Sequence, residues 1–66
     1  MFLELSNNQL VNSHYIETVT YRENNNSTYS IEYDLVNGAI LFDGNYSTEQ
    51  EAITEYERIK SLLLSI

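Results

Sequence analysis

"SIEYDLVNGAILFDG", Ser30 to Gly44, contains the reading that decides the fold. Its first arm alternates: Ile31, Tyr33 and Leu35 fall on one face, and Ser30, Glu32 and Asp34 on the other. That is the period of a strand with one buried side. Asn37-Gly38 then marks a hairpin, because a two-residue type I′ turn needs positive φ at both central positions. The second arm, Ala39-Ile40-Leu41-Phe42, is apolar at four successive positions, so apolar side chains must point to both faces. A type I′ turn pairs Val36 with Ala39, Leu35 with Ile40 and Tyr33 with Phe42. On that register Ile31, Tyr33, Leu35, Ile40 and Phe42 form the inner face, and Val36, Ala39 and Leu41 point outward.

On the N-terminal side, Ile16 to Glu23 ("IETVTYRE") is rich in β-branched and aromatic residues and reads as a strand. The break "NNNS" separates it from the next strand. A three-residue loop, Asn25-Asn26-Ser27, pairs Tyr21 with Ile31 and Val19 with Tyr33, which buries the apolar side chains of both strands. Asn can take the left-handed position of such a loop. Ile16 then opposes Val36 on the outer face. Further upstream, Leu3 and Leu5 alternate with Phe2 and Glu4. Asn7-Asn8 suits a tight primed turn, Leu10-Val11 follows, and "NSHY" (Asn12 to Tyr15) makes a corner.

Beyond Asp43-Gly44-Asn45 the period changes. Ala52, Ile53, Tyr56, Ile59 and Leu63 lie on one helical stripe. Thr48 and Glu51 have the spacing of a capping box, with Ser47 and Gln50 as an alternative one residue earlier. Glu49 and Glu51 suit the positive end of a helix dipole. The helix is expected from about Glu49 to Leu64. The expected fold is α+β, a single domain over 1–66. A small antiparallel meander of four to five short strands carries one C-terminal helix on one face.

Sixty-six residues without a cysteine have neither a disulfide nor a thiolate zinc site to compensate for a small core. Self-association is the expected remedy, most simply a two-fold homodimer. Ten acidic residues against Arg22, Arg58 and Lys60 leave a net charge of −7. That charge disfavours direct contact with nucleic acid or with anionic membranes, and suits a basic protein partner, including a nucleic-acid-binding one. "MFLELSNN" carries no signal-peptide pattern, and "SLLLSI" is too short to span a bilayer, so a cytoplasmic location is expected.

Nothing in the chain has the spacing of a catalytic or cofactor site, and the expectation is a non-enzyme without cofactor or metal. His14 beside Ser13 and near Glu17 reads as an ordinary turn histidine, since triad members converge from distant segments. Asp43-Gly44-Asn45 lacks the ligand spacing of a calcium loop. Glu32 and Asp34 lie two apart on one strand face, and read as an acidic row suited to Lys or Arg of a partner. The expected partner surface is the outer sheet face. Ile16, Val36, Ala39 and Leu41 are its apolar centre, Thr18 and Thr20 extend it, and Glu32, Asp34, Asp43 and Arg22 border it. The helix end is a second candidate. Leu62, Leu63, Leu64 and Ile66 point in several directions. Leu62 and Leu64 either wrap a second subunit or cover the sheet edge.

The run Leu5-x-Asn7-x-x-x-Val11-Asn12-x-x-x-Ile16-x-x-Val19, followed by Leu35-x-Asn37-Gly38, resembles small flagellar proteins of the FlbD type. It is also similar to short phage-encoded proteins of like pattern. The chain departs from the FlbD-type pattern at Ser13, where that family carries Pro, and in its C-terminal helix. The resemblance implies a small β-sheet protein that acts by binding. Two roles follow as expectations. One is a phage-encoded inhibitor of a host enzyme or anti-phage defence system. The other is a structural or assembly protein whose patch forms a homodimer or joins a larger particle.

Overall fold

The computed structural model describes residues 1–65; the expectation for Ile66 lies outside them. Five antiparallel strands form two sheets. β1 (Phe2–Glu4) pairs with β2 (Leu10–Asn12), and a single 3-10 turn (Ser13–Tyr15) leads into the second sheet. There β3 (Ile16–Glu23), β4 (Tyr29–Leu35) and β5 (Ile40–Tyr46) lie in sequence order, and α1 (Glu49–Leu64) packs on one face. This is the expected α+β architecture, with the strands divided between two sheets.

All three hairpins close in the same way. Leu5 N–H donates to Gln9 O at 2.8 Å, Asn24 N–H to Thr28 O at 2.7 Å, and Leu35 N–H to Ala39 O at 2.8 Å. Each encloses three residues, the last with positive φ: Asn8 at 68°, Ser27 at 63° and Gly38 at 89°. This is a turn followed by a left-handed residue, the three-residue alternative to the primed turn. The middle residue is Asn each time. Asn7 Oδ1 accepts from Gln9 N, Asn26 Oδ1 from Thr28 Oγ1, and Asn37 Oδ1 from Ala39 N. Asn thereby fixes the loop through its side chain rather than through a positive φ of its own.

The three-residue loop expected between β3 and β4 is present, with Tyr21 opposite Ile31 and Val19 opposite Tyr33. Its left-handed position falls to Ser27, not to an Asn. The two-residue turns expected at Asn7-Asn8 and Asn37-Gly38 are each one residue longer. The second correction shifts β5 by one: Tyr33 opposes Leu41, Glu32 opposes Phe42 and Asp34 opposes Ile40. Every side chain of β5 before the bulge therefore lies on the face opposite to the one expected.

Leu3, Leu5, Val11, Ile31, Tyr33 and Ile59 form the buried core, with Ile16, Val19, Leu35, Leu41, Tyr46, Tyr56, Leu62 and Leu63 packed against it. Tyr21 meets Tyr56 edge to face, with ring centroids 5.6 Å apart. The helix keeps its expected bounds and its Thr48–Glu51 capping box. Hydrogen bonds from Ser47 and Thr48 hold the Glu51 carboxyl below the usual range. Its contribution to the cap is therefore present at neutral pH and is lost as pH falls through that lowered pKa. Arg58 pairs with Glu55 at 2.6 Å and donates to Glu4 O at 3.3 Å, joining the helix to β1. No helix among the described residues is long and apolar enough to cross a membrane.

Candidate functional site: the bare face and free edge of the three-stranded sheet

The helix covers one face of the β3–β4–β5 sheet. On the other face Thr18 and Thr20 of β3 stand beside Asp34 and Glu32 of β4, which stand beside Ile40 and Phe42 of β5. Ile40 is 53% exposed and Phe42 52%. The turn residue Val36 and its neighbour Ala39 are also exposed. A polar cluster occupies the rest of the face. Arg22 pairs with Glu32 at 3.2 Å, and its guanidinium lies 5.5 Å from the centre of the Phe42 ring. Thr18 donates to Asp34 Oδ2 at 2.8 Å, while Asp34 Oδ1 is buried without a partner.

This face keeps Thr18, Glu32 and Asp34 of the expected surface, Val36 is exposed in the adjoining turn, and four members leave the face. Ala39 is exposed, but it pairs with Leu35 and so takes the helix-side parity of Leu41. Leu41 is half-buried and packs against the core, because the longer turn reverses its direction. Ile16 turns inward as well. A bulge at Glu17 places it opposite Leu35 instead of Val36, and it packs on the core. Asp43 is the fourth: it is 1% exposed and belongs to the inner face. At the helix end Leu62 packs against the core, whereas Leu64 is 76% exposed.

The sequence reading missed Ile40 and Phe42 as surface residues. It also missed Phe2 and Leu10, both 65% exposed, on the outer side of the β1–β2 hairpin. A signal existed for Phe2, which shares strand parity with Glu4. For Ile40 and Phe42 there was no local signal: a carboxylate ordinarily faces solvent, so Asp43 pointed to the opposite register, and its burial depends on donors 36 and 37 residues away. The apolar run of four sends either Ala39 and Leu41 or Ile40 and Phe42 outward, and the run itself does not say which.

Asp43 is placed by the first hairpin. Its Oδ2 accepts from Ser6 N at 3.0 Å, and its Oδ1 from Ser6 Oγ at 2.8 Å and Asn7 N at 3.2 Å. A buried carboxylate is tolerated only with such a set of donors. At Gly44 (φ 83°) a bulge adds one residue to β5, so Asp43 and Tyr46 both face inward. The Tyr46 ring lies where a Cβ at Gly44 would stand. The neighbouring Tyr33 hydroxyl is buried and unpartnered, and burial, with the nearby Asp43 charge, pushes its pKa upward. This cluster is packed solid. Among the described residues there is no pocket, and no three His, Asp or Glu side chains are grouped to hold a metal.

Backbone groups are available along the free edge of β5. The bond from Leu35 N–H to Ala39 O marks that pair as hydrogen-bonded. By the alternation of an antiparallel ladder, Leu41 and Asp43 also bond to β4, whereas the N–H and C=O of Ile40 and Phe42 point to the open edge. The same two residues thus present exposed apolar side chains and uncommitted backbone groups.

Comparison of the chain with protein-family models, with curated proteins and with solved structures returns no match.

Proposed function

We propose that this chain is a small protein-binding module that acts without chemistry of its own, through the bare face of its three-stranded sheet. The reading rests on Ile40 and Phe42, side by side and half-exposed beside the row of Glu32 and Asp34. An apolar centre with a polar border is the anatomy of a protein interface. Covering what remains exposed of Ile40 and Phe42 contributes about 1 kcal/mol each.

Charge favours a basic partner. Of the three basic residues, Arg22 and Arg58 are already engaged by Glu32 and Glu55, so the chain's excess charge is acidic. A partner presenting Lys or Arg beside an aliphatic or aromatic side chain complements both features. A module of this kind acts by occupying its partner's surface, as an inhibitor of an enzyme or of a defence complex does.

Selection of a random-peptide display library against the immobilised chain tests the proposal. The expected winners carry Lys or Arg next to an aliphatic or aromatic residue. They bind more weakly as salt rises, and they lose about fivefold in affinity on Ile40→Ser or on Phe42→Ser. Failure to enrich any sequence above background overturns the reading, and so do winners indifferent to both substitutions.

A further inference from the structure

Beyond that reading, we infer that a second copy of this chain adds to the β5 edge, in antiparallel two-fold pairing centred on Leu41. The two three-stranded sheets then become one continuous six-stranded sheet.

The two outer strands of the sheet differ as edges. On β3, Asn24 N–H bonds to Thr28 O, so by alternation the open backbone groups are those of Val19, Tyr21 and Glu23. That edge carries Glu23 at an open position, Arg22 beside it and a bulge at Glu17. Charges and bulges are the usual protection of an edge strand against pairing. On β5, Ile40-Leu41-Phe42 has no charge, no Pro and no bulge. The irregularity begins only after Asp43.

The occupant follows from self-complementarity. Side chains opposed in an antiparallel pair share a face, so a two-fold axis normal to the sheet pairs residues of equal parity. Centred on Leu41, it sets Ile40 opposite the other copy's Phe42, Phe42 opposite its Ile40, and Leu41 opposite Leu41. Ile40 and Phe42 are the residues whose backbone groups are open, so each of these pairs closes two hydrogen bonds, four in all. The bare faces of the two copies merge, and two Ile40 and two Phe42 side chains form one apolar strip with Glu32 and Asp34 on each flank. No charged side chain on this stretch meets a like charge across the axis. The repulsion between two chains of net charge −7 acts over longer distances, where salt screens it.

Salt dependence separates the two associations. Self-pairing strengthens as salt rises, whereas capture of a basic peptide weakens. Sedimentation equilibrium of the full chain, at low and high salt and up to high-micromolar concentration, is expected to show a species of twice the chain mass. Its share grows with salt. In the same samples the Ile40 and Phe42 amides gain hydrogen-exchange protection as concentration rises. Total synthesis allows N-methylation of Phe42, which removes one open donor and leaves the side chain in place. This variant is expected to be monomeric, whereas Thr20→Lys on the β3 side of the same face stays dimeric. A wild-type chain that is monomeric throughout overturns the inference, as does a dimer that survives N-methylation. Either result leaves the peptide selection to decide the binding function on its own evidence.

Discussion

The β3–β4 and β4–β5 hairpins share one turn geometry, yet only the first is legible from its own residues. Each encloses three residues, with Asn in the middle and a left-handed residue last. In the first, "NNS" has no strong preference for a turn type. The apolar side chains decide, because only the odd loop puts Val19 and Tyr21 on the same face as Ile31 and Tyr33. In the second, Asn-Gly fits two turns equally well. It can fill both central positions of a type I′ turn, or the last two positions of the longer loop. Apolar burial alone favours the type I′ choice there, since it would turn both Ile40 and Phe42 inward. The longer loop is adopted because the space beneath β5 belongs to the turn of the first hairpin, whose Ser6 and Asn7 donors require an acceptor. Asp43 supplies it, and one buried carboxylate sets the direction of the whole strand. Local apolar pattern fixes register only where no buried polar group has a stake in it.

Removing that stake is expected to have the largest effect. Asp43→Ala strands the Ser6 and Asn7 donors and should cost about 3 kcal/mol in urea unfolding. Asp34→Ala, on the bare face, should cost under about 1 kcal/mol. Equal costs for the two would remove the asymmetry between the faces. Next comes Gly44→Ala, which forces a positive φ on a side-chain-bearing residue and drives its Cβ into the Tyr46 ring. The expected loss is about 2 kcal/mol by thermal melting. Gly38→Ala meets no neighbouring atom and carries only the backbone cost, about 1 kcal/mol. The matching position of the other hairpin should respond in the opposite sense. Ser27→Gly relieves a left-handed serine and is expected to raise stability by about 0.5 kcal/mol. If Gly38→Ala proves neutral while Ser27→Gly destabilises, the two loops do not share a conformation.

What the sequence made legible was whatever short-range chemistry controls. The helix bounds and the Thr48–Glu51 cap were readable because periodicity and capping lie within a few residues of each other. The strands were readable for the same reason. The bare face was foreseen in kind, because four apolar residues in a row cannot all point inward. Its membership was not foreseen, because the contact between Asp43 and Ser6 spans 37 residues. The inward turn of Ile16 was hidden likewise, since nothing in "YIETV" announces the bulge at Glu17.

Register is directly observable in solution. In an antiparallel pair the residues that are not hydrogen-bonded bring their α-protons close together. Cross-strand Hα–Hα Overhauser effects are therefore expected between Asp34 and Ile40 and between Glu32 and Phe42. Effects between Leu35 and Ile40 and between Tyr33 and Phe42 would instead establish the type I′ register. They would turn Ile40 and Phe42 beneath the helix and dissolve the surface proposed for binding.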